Sequence, residues 1–127
     1  MTVEQHFEPE VGAIAAARHF VAEAVDGNPR VDDVVIVTSE LVSNVVRHAV
    51  TPLVVKVVRD HMIRIEVSDG SSILPAVEEL AESYRGLRLI EAASDGWGVE
   101  LTETGKTVWV EFLPQTPGLL KGEPSPS

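Results

Sequence analysis

VVIVTSELVSNVVRHA, residues 34–49, sets a carboxylate, a carboxamide and an imidazole along one side of an otherwise apolar helix. Glu40, Asn44 and His48 stand at i, i+4 and i+8. At roughly 100° per residue, Asn44 falls about 40° and His48 about 80° round the helix from Glu40. Val34, Val35, Leu41, Val42, Val45 and Ala49 occupy the opposite arc. One face therefore belongs to a core, and the other can carry a site. A glutamate can take a proton from a nucleophile, and an asparagine carbonyl can ligate a hard cation that keeps several waters and bridges substrate phosphates. The pairing points to magnesium-nucleotide chemistry, although a solvated face with chance polar residues would read the same way from this helix alone.

Outward from that helix the pattern alternates between helical and strand periods. Thr2 to Phe7 carries Val3 and Phe7 on alternate positions and can serve as an edge strand. From Glu10 to Val25 the apolar residues Val11, Ile14, Ala15, Val21, Ala22 and Val25 recur at helical spacing, and Asp26-Gly27-Asn28-Pro29 supplies a stop and a turn. Arg18 lies near this stripe, where a side chain can snorkel. The central helix is expected from about Asp32 to His48. Leu53 to Arg59 and Met62 to Asp69 are rich in β-branched residues and read as a hairpin about Asp60-His61. Gly98 to Glu103 and Lys106 to Phe112 form a second hairpin about Thr104-Gly105. Between the hairpins lie a short amphipathic piece near Val77 to Leu80 and a helix from about Gly86 to Ala93.

These elements predict an α/β (α+β) two-layer sandwich, a mixed and largely antiparallel sheet covered on one face by three helices. With 127 residues, 44% of them hydrophobic, the chain suffices for one compact domain, taken as residues 1–113. Residues 114–127 are rich in proline, glycine and serine and read as a disordered tail. A formal net charge of −10 disfavours direct binding to the phosphate backbone of nucleic acid. With no cysteine, thiolate metal sites and thiol nucleophiles are excluded, and the four histidines form no His-x-x-x-His pair. No stretch approaches the ~20 apolar residues of a membrane span, and no signal-like segment opens the sequence, so a cytoplasmic protein is expected.

Two further motifs carry chemistry. Val67-Ser68-Asp69-Gly70 ends the first hairpin, where the Asp69 carboxylate can accept the exocyclic amine of adenine and Gly70 lets backbone approach the base. Asp-Gly after a strand is also the commonest turn signal. Arg85-Gly86-Leu87 leads into a helix, whose free amides beside a guanidinium suit a polyphosphate. An ordinary loop with a glycine near a helix start would look alike.

In this order, Glu40 with Asn44 and His48, Asp69-Gly70, Arg85-Gly86-Leu87, Trp97-Gly98 and Gly105-Lys106-Thr107-Val108-Trp109 resemble the Bergerat ATP-binding domain shared by histidine kinases and type II topoisomerases. Within it the match is best to small serine kinases of the anti-sigma-factor type, over about Phe7 to Phe112. The resemblance implies ATP and Mg²⁺ as cofactors. Glu40 is then the general base for a partner's serine hydroxyl, Asn44 the magnesium ligand and Asp69 the adenine-reading carboxylate, with Gly70 beside it. Arg85, Gly86 and Leu87 cradle phosphate at the end of a lid, Thr107 supports the adenine contact, and His48 falls near the phosphates. The implied function is serine phosphorylation of an anti-sigma-factor antagonist, coupled to sequestration of a sigma factor by partner switching, in a protein that can form a homodimer. The family pattern usually has further glycines where this sequence has Ser71 and Tyr84, and side chains there narrow the backbone's freedom to wrap a triphosphate. These departures favour an alternative, a degenerate Bergerat-fold module that docks partners with weak or no kinase activity.

Overall fold

The computed structural model of the chain describes residues 1–71 and 84–114. Its elements, in order, are β1 (Thr2–Phe7), α1 (Gly12–Ala24), α2 (Val31–Asn44), a π-helical turn (Val45–Ala49), β2 (Leu53–Arg59), β3 (Ile63–Asp69), α3 (Tyr84–Ala93), β4 (Gly96–Thr102) and β5 (Gly105–Phe112). The amphipathic piece expected near Val77 to Leu80 and nearly all of the tail from 114 onward lie outside the described residues.

The strands form one sheet in the order β1-β2-β3-β5-β4. Alternation decides its faces. Leu53, Val55 and Val57 of β2, Ile63, Ile65 and Val67 of β3, and Val110 and Phe112 of β5 point into one core with Val34, Val37, Leu41 and Val42 of α2 and Ala17 and Val21 of α1. The three described helices therefore cover one face, as the sequence predicts. Every described pairing is antiparallel, where a mixed sheet was expected. The crossover from β3 through α3 does set β4 parallel to β3, but β5 returns between the two and pairs with both, so no parallel ladder forms.

The other sheet face is polar but ordered. Arg64 donates to Glu66 at 3.0 Å and to Glu111 at 2.8 Å, and its guanidinium lies 4.6 Å from the centroid of the Trp109 ring. Burial works against the Arg64 charge, but the hydrogen bonds to Glu66 and Glu111 outweigh it and hold its pKa above the ordinary guanidinium value. Trp109 in turn lies across Gly98, its direct partner on β4, where an added Cβ would fall 2.7 Å from the ring. The glycine is thus a bed for the indole at the sheet edge.

Helix α1 is rotated from the expected stripe. Ala13, Ala17 and Val21 are its buried residues, whereas Val11 and Ala15 are exposed. Small alanines one turn apart let α1 lie close on α2, its principal helical neighbour. Arg18 is exposed. Helix α2 sits centrally, against α1, α3 and β3. Its first turn carries Asp32 and Asp33, which suit the positive end of the helix dipole.

Arg30, just before α2, is 2% exposed and ties three parts of the chain together. Its Nε donates to Asp33 at 3.0 Å, Nη1 to Asp95 and to the Leu113 carbonyl, each at 2.7 Å, and Nη2 to the Ala93 carbonyl at 2.6 Å. Asp95 also accepts the Leu113 amide at 2.7 Å. One guanidinium thus joins the start of α2, the end of α3 and the exit of β5.

The π turn departs from the regular helix the sequence predicts up to His48. A wider ring turns each residue through a smaller angle, so His48 is carried less far round from Glu40 than an unbroken α-helix would carry it. The turn closes with the Val50 amide donating to the Val45 carbonyl at 2.8 Å, and leaves Val50 in the left-handed region at φ 51° and ψ 46°. A β-branched residue is disfavoured there by about 1–2 kcal/mol. Val50 is 62% exposed and contributes little packing. Val50→Gly is accordingly expected to stabilise the fold by about 1 kcal/mol, after the entropic cost of glycine. The check is a urea midpoint that rises with an unchanged slope; a fall would show that the strain is relieved elsewhere.

Candidate functional site

The candidate residues lie on the second half of α2, the π turn and the end of β3, and α2 and β3 are in contact. The half-buried Glu40 makes no hydrogen bond or ion pair with a described residue. Its carboxylate therefore keeps its accepting capacity on a rigid helix. One turn on, Asn44 is half-buried and its Oδ1 accepts from Arg47 Nη2 at 3.0 Å. The carbonyl that would meet a cation already meets a cationic donor. His48 follows on the π turn, with Nε2 withdrawn from solvent.

Asp69 closes β3 with its side chain only 1% exposed. An Asx-type bond from the Ser71 amide to Oδ1, at 2.8 Å, shapes the turn beyond it. Lys106 Nζ lies 3.1 Å from both Oδ1 and Oδ2. The Gly70 amide donates to Thr51 Oγ1 at 2.8 Å, fastening this turn to the segment between the π turn and β2. At Gly105 a Cβ would collide with the Asp69 carbonyl oxygen and come within 2.8 Å of Gly70 Cα, so this position needs glycine for the β5 backbone to approach Asp69.

Thr107 is not brought to Asp69. It pairs across the ladder with Ser68, and their hydroxyls are 2.7 Å apart on the opposite sheet face. The residue directly across from Asp69 is Lys106. Period-two alternation enforces this, because adjacent residues of a strand point to opposite faces. Arg85, Gly86 and Leu87 lie in the first turn of α3, which packs beside α2. The glycine sits inside this turn and does not precede it. The residues named from the sequence, Glu40, Asn44, His48, Asp69 and Gly70, lie on α2, the π turn and the end of β3, and the structure adds three neighbours not named there: Arg47 on Asn44, Thr51 on Gly70 and Lys106 on Asp69. Lys106 meets Asp69 only because β5 pairs with β3 in this register, which the sequence alone does not fix.

No group of three or more His, Asp or Glu side chains able to hold a metal occurs among the described residues. A magnesium ion held here would rely on Asn44 and on substrate phosphates, a donor set that fits its preference for few protein ligands.

No protein-family model matches the sequence, and no curated protein matches it. Among solved structures, the chain is similar to the crystal structure of the RsbU and RsbW domains of Rv1364c from Mycobacterium tuberculosis, with a TM-score of 0.69 at 19% identity over 89% of this chain. This chain has the Bergerat fold. It spans about a third of the length of the chain it matches, 32%. Among the described residues no helix is long and apolar enough to cross a membrane.

Proposed function

We propose that this chain binds ATP with Mg²⁺ between α2 and the first turn of α3, and transfers a phosphoryl group to a serine of a small antagonist protein. The observation that carries the reading is Asp69, a carboxylate with a 1% exposed side chain at the end of β3, in a fold whose neighbouring helix presents Glu40 and Asn44 one turn apart. Phosphoryl transfer asks chiefly for positioning and charge neutralisation. Glu40 accepts the proton of the attacking serine hydroxyl. Asn44 holds the magnesium ion, which neutralises charge on the phosphates. Arg85, Gly86 and Leu87 supply amides and a guanidinium for phosphate, and His48 of the π turn is assigned to the same phosphates. Sequestration of a sigma factor would then follow nucleotide state, since a ligand shifts partner choice only through its differential affinity for two states. The cytoplasm is the setting this activity requires.

A second reading, a docking module without transfer, is favoured by one specific observation. Both acceptor groups assigned to the ligand, Asn44 and Asp69, are engaged by cations of the chain itself, Arg47 and Lys106. Calorimetry with ATP and Mg²⁺ addresses both. Asp69→Asn is expected to weaken ATP binding at least tenfold, about 1.4 kcal/mol or more, because it replaces an acceptor-only group with one that presents a competing donor. Unchanged affinity would reduce Asp69-Gly70 to a turn, and no binding by the wild type at millimolar nucleotide would leave the docking module.

A further inference from the structure

Resting on the nucleotide reading above, we propose that Lys106 is an internal competitor for the base, a specificity-determining residue that closes the Asp69 carboxylate until a purine amine displaces it. The geometry is that of a surrogate ligand. Nζ stands 3.1 Å from both carboxylate oxygens and 3.4 Å from the Ser71 carbonyl. The Lys106 side chain is 12% exposed and that of Asp69 is 1% exposed, so this is a pair withdrawn from water. The second donor on the carboxylate, the Ser71 amide, takes Oδ1 from the turn side.

An ammonium and an exocyclic amine are both N–H donors seeking the same two oxygens. With Nζ on both oxygens and the Ser71 amide also on Oδ1, at most one accepting site, on Oδ2, is left for a base while the lysine stays in place. The ladder leaves little alternative. Lys106 is the register partner of Asp69, and the antiparallel β3–β5 ladder, from Ile63 paired with Phe112 to Asp69 paired with Lys106, holds the two residues opposite each other. Relief must come from the lysine side chain, which has to leave a buried carboxylate and be solvated elsewhere. Apparent affinity for a base-containing ligand is then the intrinsic affinity scaled by the fraction of molecules with the lysine withdrawn. A ligand that offers phosphates but no base does not encounter this competition.

Calorimetric titration of wild type and Lys106→Met with Mg²⁺-ATP, and separately with Mg²⁺ and inorganic tripolyphosphate, tests the proposal. Methionine keeps the length and apolar stem of lysine while removing its donors. The expected result is ATP binding about tenfold tighter or more in the variant, with tripolyphosphate binding no tighter. Equal ATP affinity in the two proteins overturns the competitor role while nucleotide binding stands. Weaker ATP binding in the variant also overturns it, because Lys106 would then be a contact to the nucleotide. Absence of ATP binding to both proteins removes the nucleotide reading and the competitor with it. Should the variant fail to fold, the wild type decides alone: the ¹⁵Nζ resonance of the paired ammonium should be lost or shifted at saturating ATP and retained with tripolyphosphate. A resonance unmoved by ATP would overturn the proposal.

Discussion

Replacement of Arg30 by methionine is expected to lower folding stability by about 3–5 kcal/mol, the scale for removing one member of a buried ion pair. The guanidinium is 2% exposed and satisfies two carboxylates and two carbonyls at once. Its loss leaves Asp33, 1% exposed, without this countercharge, and leaves the Ala93 and Leu113 carbonyls without these donors. The guanidinium also lies 5.4 Å from the centroid of the Phe112 ring, so its removal loosens an aromatic contact of the core. Against a typical total of about 5–15 kcal/mol, such a loss threatens folding itself. Lysine should recover only part of it, because one ammonium cannot span acceptors on three segments as a planar fork does. Urea unfolding followed by the fluorescence of Trp97 and Trp109 measures the effect. A loss below about 1 kcal/mol would show that water replaces the guanidinium at little cost.

Arg30 also shows where sequence reasoning stops. Its acceptors lie at positions 33, 93, 95 and 113, and only the first is near enough in sequence to be paired by helical spacing. Local features behaved differently. The alternation of Ile63, Ile65 and Val67 with Arg64, Glu66 and Ser68 predicted which residues of β3 are buried, because a sheet covered on one side leaves no other solution. Asp26-Gly27 marked the end of α1, and Gly27 takes the positive φ of 80° that such a turn needs. The π turn was not legible, since an apolar pattern of period near 3.6 continues through Val45, Val46 and Ala49 and does not announce one residue too many in a ring. Nor was the sheet order, which depends on β5 returning between β3 and β4. In the candidate site the resemblance named Glu40, Asn44 and Asp69, which the fold carries on two elements in contact, α2 and β3. It also assigned Thr107 to the adenine contact, whereas the β3–β5 register sets Lys106, and not Thr107, opposite Asp69.

The decision between enzyme and docking module rests on Glu40. The side chain is half-buried on the polar arc of α2, one turn before Asn44, and holds no described partner, so its removal should cost the fold little. It also does not touch Asp69 through any described hydrogen bond, so affinity for ATP should survive. Glu40→Ala is therefore expected to preserve unfolding behaviour and nucleotide affinity while reducing phosphate transfer to the partner by about 10²-fold or more, the usual scale for loss of a positioned base. The separation of these effects matters more than the size of the loss. A fall in transfer accompanied by an equal fall in ATP affinity would mark Glu40 as a binding group, since loss of an interaction made only in the transition state lowers turnover without lowering ground-state affinity. The measurement is incorporation of radiolabelled phosphate from ATP into a candidate antagonist protein by wild type and variant, beside calorimetry of each with Mg²⁺-ATP. Equal incorporation would sink the assignment of Glu40, and no incorporation by the wild type would leave a fold that docks partners, with Lys106 and Arg47 holding closed the groups that a nucleotide would otherwise reach.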